Sequence, residues 1–161
     1  MKMNRISLLG CGKLGLPLGL KLIDRGYYVK GSTTTASKID KFKQSGIIPY
    51  LLNIDKLVES DFFKSDILVL TLPYKKSFSD PNIYKNQIKR VCESLRFSSI
   101  NHVVFTSSSS VYPKDEKLYL PTDKFIPPNI RAEILLDCEA VLNQLKNISV
   151  ITIRLGGIYG V

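Results

Sequence analysis

The sequence contains few of the residues that bind transition metals. Its 161 residues include 3 cysteines and 1 histidine. Cys11, Cys92 and Cys138 are odd in number and lack the spacing of a metal site or of a disulfide framework. We therefore expect no metal site and reduced thiols in a cytoplasmic protein, with Cys92 and Cys138 in the core.

The sequence also lacks a hydrophobic run that can cross a bilayer. The apolar stretch Leu14–Ile23 is interrupted by Pro17 and Lys21, and a membrane helix needs about 20 apolar residues. The small-residue cleavage site of a signal peptide is missing as well. We expect neither a membrane partner nor a signal peptide.

The charge is strongly of one sign but is not patterned for nucleic acid. There are 23 Lys and Arg against 14 Asp and Glu, a net charge of +9. The basic residues are scattered and do not alternate with aromatic side chains, as they do on many nucleic-acid surfaces. We expect no nucleic-acid partner, whereas an anionic small ligand suits this charge.

What the sequence does contain is a regular alternation of strand and helix patterns, in a length that fits one domain. The predicted strands are Arg5–Leu9, Tyr28–Ser32, Ile47–Leu51, Asp66–Leu72, His102–Thr106 and Ser149–Arg154. The predicted helices are Lys13–Arg25, Ala36–Gln44, one that starts near Asp80 and continues to Leu95, and Asn129–Lys146. Only Tyr112–Pro128, with four prolines, has the composition of an extended loop. The alternation predicts an α/β fold with a doubly wound parallel sheet and three α/β/α layers.

A glycine-rich turn joins the first predicted strand to the first helix. It has the pattern Gly10-x-Gly12-x-x-Gly15, and its position between strand and helix is that of the dinucleotide-binding Rossmann fingerprint. Gly10 permits the tight turn, Gly12 lets the backbone approach a pyrophosphate, and Gly15 permits close packing of helix on sheet. The sequence predicts a pyrophosphate site formed by these glycines with Lys13 and Leu14. A glycine-rich turn without a ligand is the alternative.

The end of the second strand indicates which dinucleotide binds. An NAD site has Asp or Glu there for the ribose 2′-OH. This sequence instead has a hydroxyl-rich run, Ser32 to Thr35, and no acid before Asp40. Ser32 and Thr33, with Lys30 or Lys38 as counter-charge, favour the 2′-phosphate, so we expect NADP(H) over NAD(H). Leu72 and Pro73, after the fourth strand, are expected to line the adenine side.

Three segments together resemble the extended and atypical short-chain dehydrogenase/reductases, which include the nucleotide-sugar epimerases and dehydratases. They are the glycine turn, the segment Thr106–Tyr112 and the segment Arg154–Gly160, in the family's order and spacing. The resemblance covers almost the whole chain. It implies a Rossmann domain that binds NAD(P) and a substrate similar to a nucleotide-sugar.

The resemblance also assigns roles to single residues. Ser108 aligns with the catalytic serine, Ser107 would face the nicotinamide, and Tyr112 is a structural tyrosine. The family's Tyr-x-x-x-Lys acid/base pair is missing, because Arg131 and Leu135 occupy its places when the alignment is fixed on Glu139. Proton transfer by such a group contributes about 10²–10⁴-fold, so we expect impaired catalysis.

Other expectations concern residues outside the cofactor site. Arg154 is expected to fix the end of the last strand, and His102 to be a core residue. The helix Asn129–Lys146 corresponds to the family's dimer helix, and its apolar residues predict a homodimer. They are Ile130, Ile134, Leu135 and Leu142.

The resemblance implies a smaller C-terminal substrate domain, which we expect to be absent because the sequence ends at Gly160-Val161. Either the chain is a truncated form or the protein is a cofactor-binding domain alone, and in both cases residues 1–161 are one NAD(P)-binding domain. Two alternatives remain open. Gly15-Leu-Pro-Leu resembles the turn of nucleotide-sugar 6-dehydrogenases, of which the chain would be a fragment. The missing acid/base pair favours a regulatory Rossmann module that senses the dinucleotide without catalysis.

Overall fold

The computed structural model describes residues 4–56, 61–75 and 79–159. In these residues a six-stranded parallel sheet has the order β3-β2-β1-β4-β5-β6. The strands are β1 (Arg5–Leu9), β2 (Tyr28–Thr33), β3 (Ile48–Leu51), β4 (Ile67–Leu70), β5 (His102–Ser108) and β6 (Ser149–Leu155). This order is that of a Rossmann sheet and confirms the predicted fold.

The α-helices of the described residues are α1 (Gly15–Asp24), α2 (Ile39–Gln44), α3 (Asn82–Leu95) and α4 (Ile130–Asn143). A side-chain cap explains where α4 begins, because the Asn129 side chain accepts a hydrogen bond from the Ala132 N–H at 3.0 Å. Pro81 precedes α3 without a side-chain cap, and the turn there is fixed by Asp80, whose carboxylate accepts a hydrogen bond from the Asn82 N–H at 2.8 Å. The helix α1 starts two residues later than predicted, because Lys13 and Leu14 belong to the glycine turn.

The helices cover both faces of the sheet, because successive side chains of a strand point to opposite sides. Ile6 and Leu8 of β1 pack in an apolar cluster with α1 and α2. Leu9 belongs to a larger cluster that packs against α3 and α4. The three predicted layers are therefore present. Cys138 is buried and Cys92 is half-buried, both against the larger cluster.

Several predicted details differ from the structure. The strand β4 ends at Leu70 and not at Leu72, so Thr71 and Leu72 belong to the loop that leaves the sheet. His102 is exposed and not a core residue, because it is the first residue of β5 and lies at the rim of the sheet. Gly160-Val161, on which the expectation of a missing substrate domain depends, lies outside the described residues.

The reason given for a homodimer is wrong in part. Three of its four residues, Ile134, Leu135 and Leu142, are at most 2% exposed and pack in this chain's own core. Only Ile130 of this set is exposed. The helix α4 therefore offers little free apolar surface from this set to a second copy.

The stretch between Tyr112 and Pro128 has neither helix nor strand, as predicted. Three of its rings, Tyr112, Tyr119 and Phe125, pack with centroids 5.1–5.5 Å apart. None of the helices in the described ranges is long and apolar enough to span a membrane.

Candidate dinucleotide site

A cavity of about 770 Å³ lies at the carboxyl ends of the strands. The segments that follow β1, β2, β4, β5 and β6 all contribute to its wall. It is centred where β1 lies beside β4, the point at which the strand order reverses. Open α/β sheets bind ligands at this point. Its size is that of a pocket for a small molecule or cofactor.

The glycine turn after β1 is held in a fixed shape by its neighbours. Gly10 has a φ of +96°, and a Cβ there would be 2.9 Å from the Thr71 carbonyl oxygen, so only glycine fits. The Gly10 N–H donates to Ser32 Oγ at 2.9 Å. The Thr71 hydroxyl donates to the Gly10 carbonyl oxygen at 2.7 Å. The turn is thereby tied to both neighbouring strands before any ligand binds.

The other two glycines of the turn have different surroundings. A Cβ on Gly15 would lie 2.7 Å from the Gly10 carbonyl oxygen, because α1 packs tightly on the turn. A Cβ on Gly12 would meet nothing closer than 4.0 Å, although the residue lines the cavity. The protein therefore leaves the space at Gly12 open. A pyrophosphate fits such a space beside a helix N-terminus, whose first N–H groups lack intrahelical partners.

The end of β2 forms the next part of the wall. Ser32, Thr33 and Lys38 line the cavity, together with Thr34 and Thr35. The Thr33 hydroxyl accepts a hydrogen bond from the Thr35 N–H at 3.1 Å and so shapes the loop. Of the described residues that form the wall, one has a carboxylate, Asp55. The Gln87 side chain donates to it at 3.3 Å.

Lys30 does not belong to this site, contrary to the prediction. Its side chain is buried, and its ammonium group donates to the carbonyl oxygens of Asp61 and Lys64 in the segment before β4. Burial lowers the pKa of Lys30. The expected counter-charge is therefore left to Lys38, which is exposed and lines the cavity.

The loop after β4 forms the opposite side of the wall. Leu72 and Pro73 line the cavity, as does Tyr84 of α3. The Tyr84 hydroxyl donates to the Leu72 carbonyl oxygen at 2.9 Å and fixes the loop. Burial strongly raises the pKa of Tyr84. Its phenol therefore stays protonated at neutral pH and acts as a structural donor.

The serines at the end of β5 differ in their surroundings. Ser107 is buried, and its hydroxyl donates to Glu139 at 2.5 Å. Ser108 is half-buried, lies 2.8 Å from the hydroxyl of Ser110, and accepts a hydrogen bond from the Ser110 N–H at 3.2 Å. Both serines line the cavity, but the Ser107 proton is already used within the protein.

Behind these serines lies a partly buried ion pair between Glu139 and the half-buried Arg154. The Arg154 guanidinium donates to both carboxylate oxygens of Glu139, with the shortest distance 2.7 Å, and to the Tyr112 hydroxyl at 2.7 Å. Arg154 therefore connects β6 to α4 and to the loop after β5. This agrees with the expectation that Arg154 fixes the end of the last strand.

The positions of the missing acid/base pair lie on the cavity wall. Arg131 and Leu135, one turn apart on α4, both line the cavity. Arginine stays protonated and leucine has no titrating group, so neither replaces the acid/base tyrosine or its lysine. The one thiol on the wall, Cys11, has its pKa raised to about 11 by burial and is not a thiolate at neutral pH.

Of the predicted site residues, all but Lys30 and Gly15 line this cavity, and Gly15 supports the turn from behind. The wall also contains residues that the sequence had not placed in the site, among them Thr71, Tyr74, Lys75, Tyr84 and Thr106. Thr71 was detectable as the residue that follows the buried run of β4. The position of Tyr84 depends on how α3 packs, which no local pattern shows.

Comparison with known proteins decides the family. The sequence profile of the NAD-binding domain of 6-phosphogluconate dehydrogenase matches residues 5–117. The chain belongs to this family of NAD-binding domains. The family match, which is not to the short-chain dehydrogenases, covers the glycine turn and every strand from β1 to β5.

Relatives and solved structures extend this picture. The NAD-binding domain is 32% identical to the Escherichia coli protein YeeZ over 98% of its length and spans 60% of YeeZ. The Bacillus cereus UDP-glucuronic acid 4-epimerase in complex with NAD has a TM-score of 0.78 at 19% identity, over 97% of this chain and 57% of that one. The Methanobrevibacter ruminantium UDP-N-acetylglucosamine 4-epimerase has a TM-score of 0.77 at 19% identity, over 96% and 55%. At these identities the likeness to the epimerases shows a shared fold.

Proposed function

We propose that this NAD-binding domain serves an atypical oxidoreductase of the epimerase/dehydratase type, with a nucleotide-sugar-like substrate and NADP(H) as the preferred cofactor. The observation that carries the proposal is the open space at Gly12, in a turn that is fixed on both sides and faces a cavity of about 770 Å³. The serine-lined wall at the end of β5 supports the epimerase-type comparison. Because the chain spans 60% of YeeZ, the activity of a whole protein of this kind is part of the proposal.

Residues at the two ends of the cavity have different roles. The glycine turn and the N-terminus of α1 hold the pyrophosphate, and the β2 end holds the adenosine ribose. When bound, the nicotinamide supplies hydride exchange with the substrate carbon. Ser108 hydrogen-bonds the substrate oxygen, and its partner Ser110 orients the hydroxyl. Proton transfer lacks a positioned tyrosine, and we expect it to limit the rate.

The preference for NADP(H) depends on charge at the β2 end. Lys38 is the cation there, and the hydroxyl-rich loop offers donors to a 2′-phosphate. Asp55 lies on the same cavity wall, but its carboxylate already accepts a hydrogen bond from Gln87. We expect a tighter complex with NADPH than with NADH, although Asp55 moderates the difference.

Fluorescence titration with NADPH and NADH tests the proposal. We expect saturable binding of both, tighter for NADPH, and loss of both in Gly12→Val. Gly157→Val is the matched control for replacing a glycine, because a Cβ there would meet nothing within 4 Å and the residue is not part of the cavity wall. Equal binding by Gly12→Val and the unmodified protein would contradict the site.

The family match favours a second candidate, the cofactor domain of a 6-phosphogluconate-type or nucleotide-sugar dehydrogenase. In the nucleotide-sugar dehydrogenases that the glycine turn resembles, the catalytic cysteine is distant and belongs to the region of a second domain. Ser108→Ala separates the two candidates in a protein that shows turnover. Slower hydride transfer with unchanged NADPH affinity supports the epimerase/dehydratase type, and unchanged turnover supports the dehydrogenase type.

A further inference from the structure

Arg131 is in an unusual environment for an arginine. It is the second residue of α4, where the partial positive charge of a helix N-terminus makes a cation unfavourable. Its Nε is buried and has no hydrogen-bond partner within the described residues. Buried donors in native proteins are nearly always paired, and an unpaired one destabilises the fold. The described residues therefore give this Nε no hydrogen-bonding role.

The guanidinium is nevertheless oriented within the cavity. It lies 5.5 Å from the centre of the Tyr74 ring, which is also part of the wall. A cation–π contact of this kind positions a guanidinium without using a hydrogen-bond acceptor, so its N–H groups remain for a ligand. No ion pair found in the described ranges includes Arg131, and the acid in the first turn of α4, Glu133, is exposed.

The charged side chains on the cavity wall are mostly positive, which also favours an anionic ligand. Among the described residues, four cations and one carboxylate, Asp55, contribute to the wall. The cations are Lys13, Lys38, Lys75 and Arg131. A dinucleotide supplies anions at the glycine turn and the β2 end, where Lys13 and Lys38 lie. Arg131 lies instead at the opposite end, at the position that the acid/base tyrosine of the short-chain dehydrogenases would occupy.

We propose that Arg131 is the receptor for an oxyanion of the substrate, a carboxylate or a phosphate, at the nicotinamide end of the cavity. The inference rests on the proposed function, because it assumes that the cofactor fills the rest of the cavity. A planar guanidinium binds both groups through paired N–H donors. The proposal names the substrate class: a compound with an anionic group close to its reacting carbon.

The test uses the chain saturated with NADPH, so that the glycine turn is filled before a second anion is added. Inorganic phosphate and acetate are the probes, titrated separately and followed by NMR chemical shifts. We expect at least one of them to bind in the millimolar range, and the tighter of the two identifies the group. Arg131→Gln is expected to weaken that binding at least ten-fold and to change the NADPH affinity less than two-fold. Arg25→Gln, which removes an exposed arginine outside the cavity wall, is expected to change neither.

Thermal unfolding of the ligand-free variants gives an independent readout. Because the Arg131 Nε has no partner, Arg131→Gln is expected to melt at or above the temperature of the unmodified chain. A lower melting temperature would assign Arg131 a structural role and overturn the proposal. So would unchanged anion binding in Arg131→Gln, no anion binding by the unmodified complex, or an equal loss of NADPH affinity, which would place Arg131 on the cofactor. Failure of the unmodified chain to bind NADPH contradicts the proposed function itself, and this is measured first.

Discussion

The two ends of the cavity are built in different ways. At the glycine turn the ligand surface is backbone, and its shape depends on an open space at Gly12 and on the fixed conformation of Gly10. At the end beside β5 and α4 the surface is made of side chains. Of these, Ser107 donates to Glu139, and Arg131 contacts the ring of Tyr74. The backbone end therefore matches the general features of dinucleotides, whereas at the side-chain end this sequence departs from the short-chain dehydrogenase pattern that it resembles.

This difference teaches which part of the site can change without loss of the fold. The glycine turn is part of the sheet-to-helix connection, so altering it affects either the ligand or the packing of α1. The side chains of Arg131 and Leu135 belong instead to α4, and neither contributes to the glycine turn. We therefore expect substitutions there to alter the chemistry and to leave the cofactor-binding turn in place.

The largest expected effect is on catalysis. If catalysis were not impaired, the contrast between the two ends of the cavity would be wrong. With Arg131 and Leu135 in the places of the acid/base pair, we expect slow hydride transfer with common nucleotide-sugars. Its rate should be no more than about a thousandth of the rate usual for the short-chain dehydrogenases that the sequence resembles. Single-turnover oxidation of bound NADPH measures this step. Steady turnover near 10 s⁻¹, the median for enzymes, would contradict the prediction. If Ser108→Ala abolished such turnover, the role of Ser108 would still hold.

The next largest effect sharpens the backbone end. Gly12→Val is expected to weaken NADPH binding at least 100-fold and to leave the melting temperature nearly unchanged, because a Cβ there would meet nothing closer than 4.0 Å. Gly15→Ala is the contrasting variant: its Cβ would lie 2.7 Å from the Gly10 carbonyl oxygen, so the fold itself should lose stability. Equal destabilisation by both substitutions would show that the two glycines have the same role.

The sequence sufficed for the part of the site that depends on local geometry. The fingerprint Gly10 to Gly15 has a fixed meaning between a strand and a helix, and alternating patterns define the strands around it. Lys30 was misplaced because a residue pattern does not show where a long side chain ends. Its ammonium group reaches carbonyl oxygens more than 30 residues further along the chain. His102 was misplaced because an apolar run does not show which of its residues lies at the rim of the sheet.

For the side-chain end, the sequence predicted which residues lie there but not which residues they contact. Aligning on Glu139 placed Arg131 beside the substrate position, and the structure puts both Arg131 and Leu135 on the cavity wall. The bonds of Arg154 to Glu139 and Tyr112 join residues 15 and 42 positions apart, and no periodicity predicts such pairs. The same holds for the Tyr74 ring, which comes from the loop after β4.

A smaller effect tests whether the ion pair behind the serines is part of the scaffold. Glu139→Gln keeps the shape of the side chain but leaves the Arg154 charge, with 17% of its side chain exposed, without its carboxylate. We expect the free energy of unfolding to fall by about 2 kcal/mol, the usual cost of a buried polar group without its partner. Denaturant unfolding measures the loss, with Asp24→Asn on the exposed surface as the control. A change in NADPH affinity above three-fold would place Glu139 in the binding site and not behind it.

The smallest expected effect distinguishes Lys38 from Lys30 as the counter-charge of the 2′-phosphate. Lys38→Ala is expected to weaken NADPH binding about five-fold and leave NADH binding unchanged, because an exposed ion pair contributes up to about 1 kcal/mol. Lys30→Met is expected to leave the ratio of the two affinities unchanged, since its ammonium group is bonded to the carbonyl oxygens of Asp61 and Lys64. Raising the salt concentration should reduce the preference of the unmodified protein for NADPH over NADH, because salt screens the pair between Lys38 and the 2′-phosphate. The Lys38→Ala variant lacks this pair, so its affinity ratio should not change with salt. Loss of the preference in Lys30→Met alone would reverse the assignment and return the 2′-phosphate to the other lysine.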